Sequence, residues 1–366
     1  MSHVVVAPDK FKGSLTAPEA AAAVARGIAR ARPDLDVHQV PVADGGDGTV
    51  DAALAAGFTP LRTTVEGPTG QPVTATIAIR DGVAVVEAAS ACGLAVLPDG
   101  VPAPLTASSF GVGELLLAAA AAGCTTAVLG VGGSASTDGG TGLITALGGR
   151  VLDVDGSALP PGGGALTRAA SVDLTGVRGL GLTVVLATDV DNPLLGPDGA
   201  APVFAPQKGA DPAQVEQLAA GLRTWAGLVD PDVAEAPGAG AAGGIGFAAL
   251  AVLGATRRSG IDLLLDLVGF ADHLVGARLV ITGEGSLDEQ SLHGKAPIGV
   301  VQAAARAGVR AVAVAGRCQL DQQTLADAGI SAAYVLADIE PDPARSIADA
   351  ANLLERLTMR VAEDWL

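Results

Sequence analysis

The stretch His3-Val4-Val5-Val6-Ala7-Pro8-Asp9-Lys10-Phe11-Lys12-Gly13-Ser14-Leu15-Thr16-Ala17-Pro18-Glu19 decides how the chain is read. Its valine-rich run is a buried strand that Pro8 closes. Thr16 and Glu19 have the spacing of a capping box, and the alanine-rich segment after them reads as a helix to Arg30, before Pro33 stops it. Residues 37–42 read as a second strand, followed by Ala43-Asp44-Gly45-Gly46-Asp47-Gly48-Thr49 and a short helix ending near Gly57. This order of strand, helix, strand and helix implies an α/β protein with a parallel sheet and covering helices.

Between residues 61 and 89 the rhythm changes. Short strands are expected around 63–66, 73–79 and 83–88, with Asp81-Gly82 as a hairpin signal between the last two. From Ser108 the βα pattern resumes, with a helix to Gly123, a strand at 126–131 and a helix after Gly142. Later strands are expected at 183–187, 278–282, 311–315 and 333–336. The expected partition is a mainly parallel domain from residues 1–60, 105–188 and 268–366. A discontinuous second α/β domain takes 61–104 and 189–267, including helices around 211–225 and 245–253.

Composition bounds the function. The 366 residues are 49% hydrophobic and 17% charged, which excludes a disordered chain and suits two domains. A net charge of −17 repels nucleic acids and anionic membranes. Six Phe, two Trp and one Tyr offer no stacking platform for single-stranded nucleic acid. Cys92, Cys124 and Cys318 are too scattered for a disulfide framework or a metal cluster, and the opening residues lack a signal-peptide pattern. A cytoplasmic protein is therefore expected. Residues 236–255 carry no charge, but Pro237 and six glycines make them a glycine-rich loop and a short buried helix rather than a membrane span.

Polar residues concentrate in turns after apolar strands, where open parallel sheets form their ligand crevice. Lys10, Lys12 and Ser14 suit a carboxylate or phosphate beside a helix start. Asp44 and Asp47 suit Mg²⁺ or a substrate hydroxyl, and equally a helix cap. The run Gly130-Val131-Gly132-Gly133-Ser134-Ala135-Ser136-Thr137-Asp138-Gly139-Gly140-Thr141-Gly142 follows a strand and suits an anion, yet has the spacing of neither a P-loop nor a dinucleotide fingerprint. Asp189 and Asp191, directly after another strand, suit Mg²⁺ or acceptance of a hydroxyl proton. In the run from Thr282 to Gly299, Lys295 suits charge on a transferring phosphoryl group, and Glu284 or Asp288 a metal or hydroxyl. Of the four histidines, His293 alone falls in such a loop. His3, His38 and His273 read as structural or exposed.

Taken in order, these loops resemble the bacterial glycerate kinase family along nearly the whole chain. The resemblance is carried by Ala7-Pro8-Asp9 with Phe11-Lys12-Gly13-Ser14, by Val42-Ala43-Asp44-Gly45-Gly46-Asp47-Gly48-Thr49, and by Gly132-Gly133-Ser134-Ala135-Ser136-Thr137-Asp138-Gly139-Gly140. It continues in Phe204-Ala205-Pro206-Gln207-Lys208-Gly209-Ala210, Pro237-Gly238-Ala239-Gly240-Ala241-Ala242-Gly243-Gly244, and Thr282-Gly283-Glu284-Gly285 running to Gly294-Lys295-Ala296-Pro297. Lys10 departs from the pattern, which more often has serine there. The resemblance implies a Rossmann-like domain with a second mixed α/β domain, and transfer of phosphoryl from ATP with Mg²⁺ to D-glycerate, giving 2-phosphoglycerate.

On that reading Gly132, Gly133, Ser134, Ser136 and Thr137 cradle the ATP phosphates, and Lys12, Ser14, Asp44 and Lys208 bind substrate. Asp189 meets the reacting hydroxyl and Lys295 stabilises the phosphoryl group, with Asp191, Glu284 and Asp288 as metal ligands. Glycerate 3-kinase activity, phosphorylation of another small hydroxy acid, and an inactive small-anion-binding protein are the alternatives.

Overall fold

The computed structural model describes residues 2–177, 181–292 and 295–366. Its strands are β1 (His3–Pro8), β2 (Asp36–Gln39), β3 (Thr59–Glu66), β4 (Pro72–Arg80), β5 (Val83–Glu87), β6 (Thr126–Gly130), β7 (Arg150–Leu152), β8 (Ser171–Asp173), β9 (Thr183–Ala187), β10 (Thr256–Arg258), β11 (Ala277–Leu287), β12 (Ala311–Cys318) and β13 (Ile330–Val335). The chain forms two compact units. Unit 1 takes Met1–Asp44, Asp51–Gly57 and Ser259–Leu366, and unit 2 takes Gly45–Val50 and Phe58–Arg258.

Unit 1 is built on a five-stranded sheet in the order β13-β12-β11-β1-β2, parallel throughout. Val4, Val5, Val6 and Ala7 are fully buried, as expected of a central strand covered on both faces. One cover is the helix Ala17–Ala31. Thr16 caps it by accepting the Glu19 amide, and the Glu19 carboxylate accepts the Thr16 amide in return. The chain starts at β1, steps to β2 on one side, and later adds β11, β12 and β13 on the other. Strand order therefore reverses between β1 and β11, and an open α/β sheet offers its ligand crevice at the carboxyl ends beside such a reversal.

Unit 2 has a six-stranded mixed sheet, β10-β9-β6-β5-β4-β3, and a separate antiparallel pair, β7-β8. The expected hairpin is present. β4 and β5 run antiparallel, and Asp81 and Gly82 both take positive φ, 51° and 76°, as a two-residue turn of this hand requires.

The expected partition fails at residues 105–188. These were assigned with β1, but β5 pairs with β6 in parallel from Val83↔Thr126 to Glu87↔Gly130, and β6 pairs in turn with β9. The helix Phe110–Ala121 makes the crossover between β5 and β6. The interior of β5 is apolar on both faces, with Ala84, Val85 and Val86 fully buried, so it sits between two neighbours rather than at an edge. A βα rhythm identifies a parallel strand without naming the sheet it joins. The mixed α/β class stands.

The uncharged run at 236–255 becomes the largely buried helix Ala241–Ala251 and its glycine-rich approach. No helix among the described residues is long and apolar enough to cross a membrane. Gly243 lies in the left-handed region at φ 67°, and a Cβ placed there would stand 2.2 Å from the Ser136 carbonyl oxygen. Alanine would meet both a backbone penalty and a backbone clash. Gly243→Ala should lower stability by about 2 kcal/mol or more in a denaturant titration; an unchanged midpoint would show that this close approach carries no constraint.

Candidate active site

In unit 1, parallel register sets Ala7 against Thr282 and Pro8 against Gly283. The Asp9 amide then donates to the Gly283 carbonyl at 2.8 Å, and the Val42 amide to the Pro8 carbonyl at 3.0 Å. Position 283 demands glycine because a Cβ would stand 2.0 Å from the Val314 carbonyl oxygen. These backbone bonds bring three acidic residues, Asp9, Asp44 and Glu284, to the carboxyl ends of adjacent chain segments at the strand reversal.

Asp9 is 7% exposed, and its Oδ1 accepts the Lys10 amide at 2.6 Å. Burial, with the Asp44 charge behind it and Glu284 adding less, pushes its carboxyl up to about 7 against the pull of Lys10. Glu284 is also raised, again chiefly by burial and then by Asp288 and Asp44, while Ser291 and Lys295 oppose the shift. Its buried Oε1 has no hydrogen-bond partner. Asp288 organises the next turn, accepting the Gln290 amide at 3.0 Å and the Ser291 amide at 3.3 Å. Lys295 stands 3.8 Å from Asp288 Oδ1 and occupies the N-cap of the helix Ala296–Arg306. Lys12 is exposed, and the Ser14 hydroxyl donates to the Ile347 carbonyl at 2.9 Å. His293 and Gly294 lie outside the described residues.

In unit 2 the glycine-rich run after β6 folds around Asp138. This fully buried carboxylate accepts the Ser109 amide and hydroxyl, each at 2.8 Å, the Gly140 amide at 3.0 Å and the Gly142 amide at 3.1 Å. The amides that an external anion might have taken are thus held by the protein's own acid. Ser136 and Thr137 are also fully buried and Ser134 is 4% exposed, so these expected cradle hydroxyls face inward and solvent reaches the loop at Gly132 and Gly133. The Thr137 hydroxyl has no partner.

Lys208 is 3% exposed, and its ammonium donates to Ser134 Oγ at 2.9 Å and the Ser136 carbonyl at 2.5 Å. Asp189, half-buried, follows β9. Two residues on, the exposed Asp191 is paired at 2.5 Å with Arg257 Nη2. Asp191 therefore lies in unit 2 on a guanidinium, whereas Glu284 and Asp288 meet in unit 1. Among the described residues, no three His, Cys, Asp or Glu side chains are grouped to hold a metal ion.

The model of the glycerate kinase family matches residues 4–366. The chain belongs to the glycerate kinase family. It is 41% identical over 368 residues to the glycerate kinase of Bacillus subtilis, covering 98% of this chain and 96% of that one. It is also 41% identical over 340 residues to the glycerate 2-kinase of Escherichia coli K12, covering 90% and 89%. A crystal structure of a glycerate kinase 2 candidate from Salmonella typhimurium LT2 superposes with a TM-score of 0.84 at 37% identity, covering 99% of this chain and 98% of that one.

In this glycerate kinase fold, sequence reasoning gave no role to Asp9 or Arg257. Asp9 had a signal, its place immediately after the central strand; Arg257, in the short strand β10, had none. The remaining histidines gather in unit 1 beside β1 and β2. His3 and His38 stack with ring centroids 3.9 Å apart, His3 Nε2 bonds the His273 carbonyl, and the Nδ1 atoms of His38 and His273 stand 3.3 Å apart. The structural reading of these three agrees with this packing.

Asp9 yields a test. An acid whose value is higher when folded holds its proton more tightly in that state, so its contribution favours the fold below the unfolded value. That contribution is lost as pH rises from about 4 to about 7, by about 4 kcal/mol as an upper bound. Thermal melts of Asp9→Asn should lack this decline and give a higher Tm than the parent at pH 8. Parallel pH profiles for the two proteins would show that burial does not hold the proton on Asp9.

Proposed function

We propose that the protein transfers the γ-phosphoryl group of ATP, in the presence of Mg²⁺, to the C2 hydroxyl of D-glycerate, forming 2-phosphoglycerate and ADP. The observation that carries this is the end-to-end match to named glycerate kinases, with C2 as the acceptor following from the Escherichia coli glycerate 2-kinase. In the transfer, the hydroxyl oxygen bonds to the γ-phosphorus, the bond from that phosphorus to the bridging oxygen of ADP breaks, and the hydroxyl proton passes to a carboxylate. Little covalent work falls to the protein, so catalysis is positioning and charge stabilisation.

Lys295 is the group assigned to the phosphoryl charge. Its side chain is 31% exposed, and it stands at the N-terminal end of an eleven-residue helix whose dipole adds to its field. Lys12, exposed on the turn after β1, takes the glycerate carboxylate, with Ser14 and Asp44 on the same side of the unit 1 sheet. Because the Ser14 hydroxyl already donates to Ile347, it serves glycerate as an acceptor. In unit 2, Asp189 is the group assigned to the reacting hydroxyl, and the exposed edge at Gly132 and Gly133 the one assigned to the nucleotide phosphates.

Mg²⁺ favours oxygen donors and is commonly held by one or two carboxylates together with substrate phosphates rather than by a complete protein cage. The unpartnered buried Oε1 of Glu284 and the adjacent Asp288 fit that role. Asp191, already held by Arg257, is left out of it. When bound, the ion neutralises phosphate charge.

The test is the product formed from D-glycerate, ATP and Mg²⁺, with the phosphorus resonance identifying the modified hydroxyl. 2-Phosphoglycerate is expected; 3-phosphoglycerate would reassign the acceptor oxygen. Binding of D-glycerate without turnover would favour the inactive anion-binding alternative. Lys295→Ala should lower kcat/KM by about a hundredfold or more with Tm nearly unchanged, and a folded variant with normal kcat and kcat/KM would exclude Lys295 from the transfer.

A further inference from the structure

A lysine buried without a carboxylate bonded to it needs an explanation. Lys208 ends the short turn Pro206–Lys208, and the two oxygens its ammonium bonds belong to Ser134 and Ser136, residues remote in sequence. Both are uncharged acceptors. A surface-facing lysine would keep its hydration at no such cost, and a purely structural tie between two turns is made more cheaply by an amide or a hydroxyl.

We propose that Lys208 is a positioning residue for the nucleotide loop: its ammonium fixes Ser134 and Ser136 from the inside, and so sets the shape of the exposed Gly132–Gly133 edge, without touching ATP or glycerate. Three observations converge on this. The lysine is 3% exposed and points into the loop, so it is poorly placed to bind substrate directly as its sequence motif suggested. Its two bonds bracket Ala135, whose amide is held on the Cys92 carbonyl at 2.7 Å, while the Gly133 carbonyl accepts the Leu94 amide at 3.1 Å. The loop is therefore tied by backbone bonds to one neighbouring segment and by the lysine to another. The charge also sits behind a site proposed for phosphates, where a positive potential acts through the turn without a direct contact.

The groups around the ammonium give this tie a pH dependence. Burial pulls Lys208 down to about 8, and the nearby charge of Asp138 opposes that pull. Cys92 is itself pushed up to about 12, chiefly by burial, so it stays a neutral thiol through this range. Lys208 is therefore charged at pH 7 and loses its proton as pH rises through about 8. Below that value it donates to both oxygens and keeps its charge; above it the charge is lost and the tie weakens.

The inference rests on reading the exposed Gly132–Gly133 edge of the loop as the nucleotide phosphate site, so that reading is tested separately. Amide hydrogen exchange of the full chain, with and without ATP and Mg²⁺, should show slowed exchange within 132–137; no slowing would overturn the loop assignment and the role of Lys208 with it. Steady-state kinetics from pH 7 to 9.5 then address the lysine. In the parent protein KM for ATP should rise about tenfold over this range while KM for D-glycerate changes less than twofold. Lys208→Met should show the raised KM for ATP already at pH 7, with no further rise. The parent's own profile is informative even if the variant does not fold. A flat parent profile, an unchanged KM for ATP in folded Lys208→Met, or a larger effect on KM for D-glycerate, which would mean direct contact with the acid, would each overturn the proposal.

Discussion

Removing charge from water without a full counter-charge is the constraint around which both units are arranged. Unit 1 gathers carboxylates where β1 and β11 end, and the cost shows in Asp9, whose acid is drawn up to about 7. Unit 2 buries the Lys208 ammonium among neutral oxygens, and the same cost draws it down to about 8. Opposite charges move toward neutrality from opposite directions chiefly through desolvation, with the Asp44 charge adding to the rise at Asp9. Stability alone gives no reason to keep either group, since an apolar or amide side chain at each position avoids the penalty.

The backbone makes these placements possible. Asp9 is carried inward because its amide completes the ladder to Gly283, and position 283 can lie against β12 only without a Cβ. The glycine loop of unit 2 is set by Asp138, which satisfies amides at 140 and 142 and both donors of Ser109. Gly243 then lets the approach to the helix Ala241–Ala251 close against Ser136. Several of this chain's signature glycines, among them Gly132, Gly243 and Gly283, are points where backbones touch, and its acidic and basic residues stand where those contacts leave them.

Local structure was legible in the sequence. The capping box at Thr16 and Glu19, the hairpin at Asp81-Gly82 and the strand ending at Pro8 each depend on residues a few positions apart. The order of the loops also carried the family. What could not be read depends on contacts between distant residues. The rhythm around residue 126 announced a parallel strand, but only pairing with β5 placed it in unit 2. Ser136 and Thr137 carry hydroxyls suited to a phosphate, yet packing turns them inward, and Lys208, in the motif from Phe204 to Ala210, proves to be interior. Asp9 went unassigned because its neighbours Asp44 and Glu284 come from segments 35 and 275 residues further along the chain.

Titration of Asp9 itself is the most direct test of the desolvation at this site. Carbon-13 at the carboxyl position of aspartate, with the Asp9→Asn spectrum assigning the resonance, gives the midpoint of its protonation in the folded protein. A midpoint near 7 is predicted. A midpoint near the ordinary aspartate value of about 4 would contradict the claim that burial beside other carboxylates governs this site.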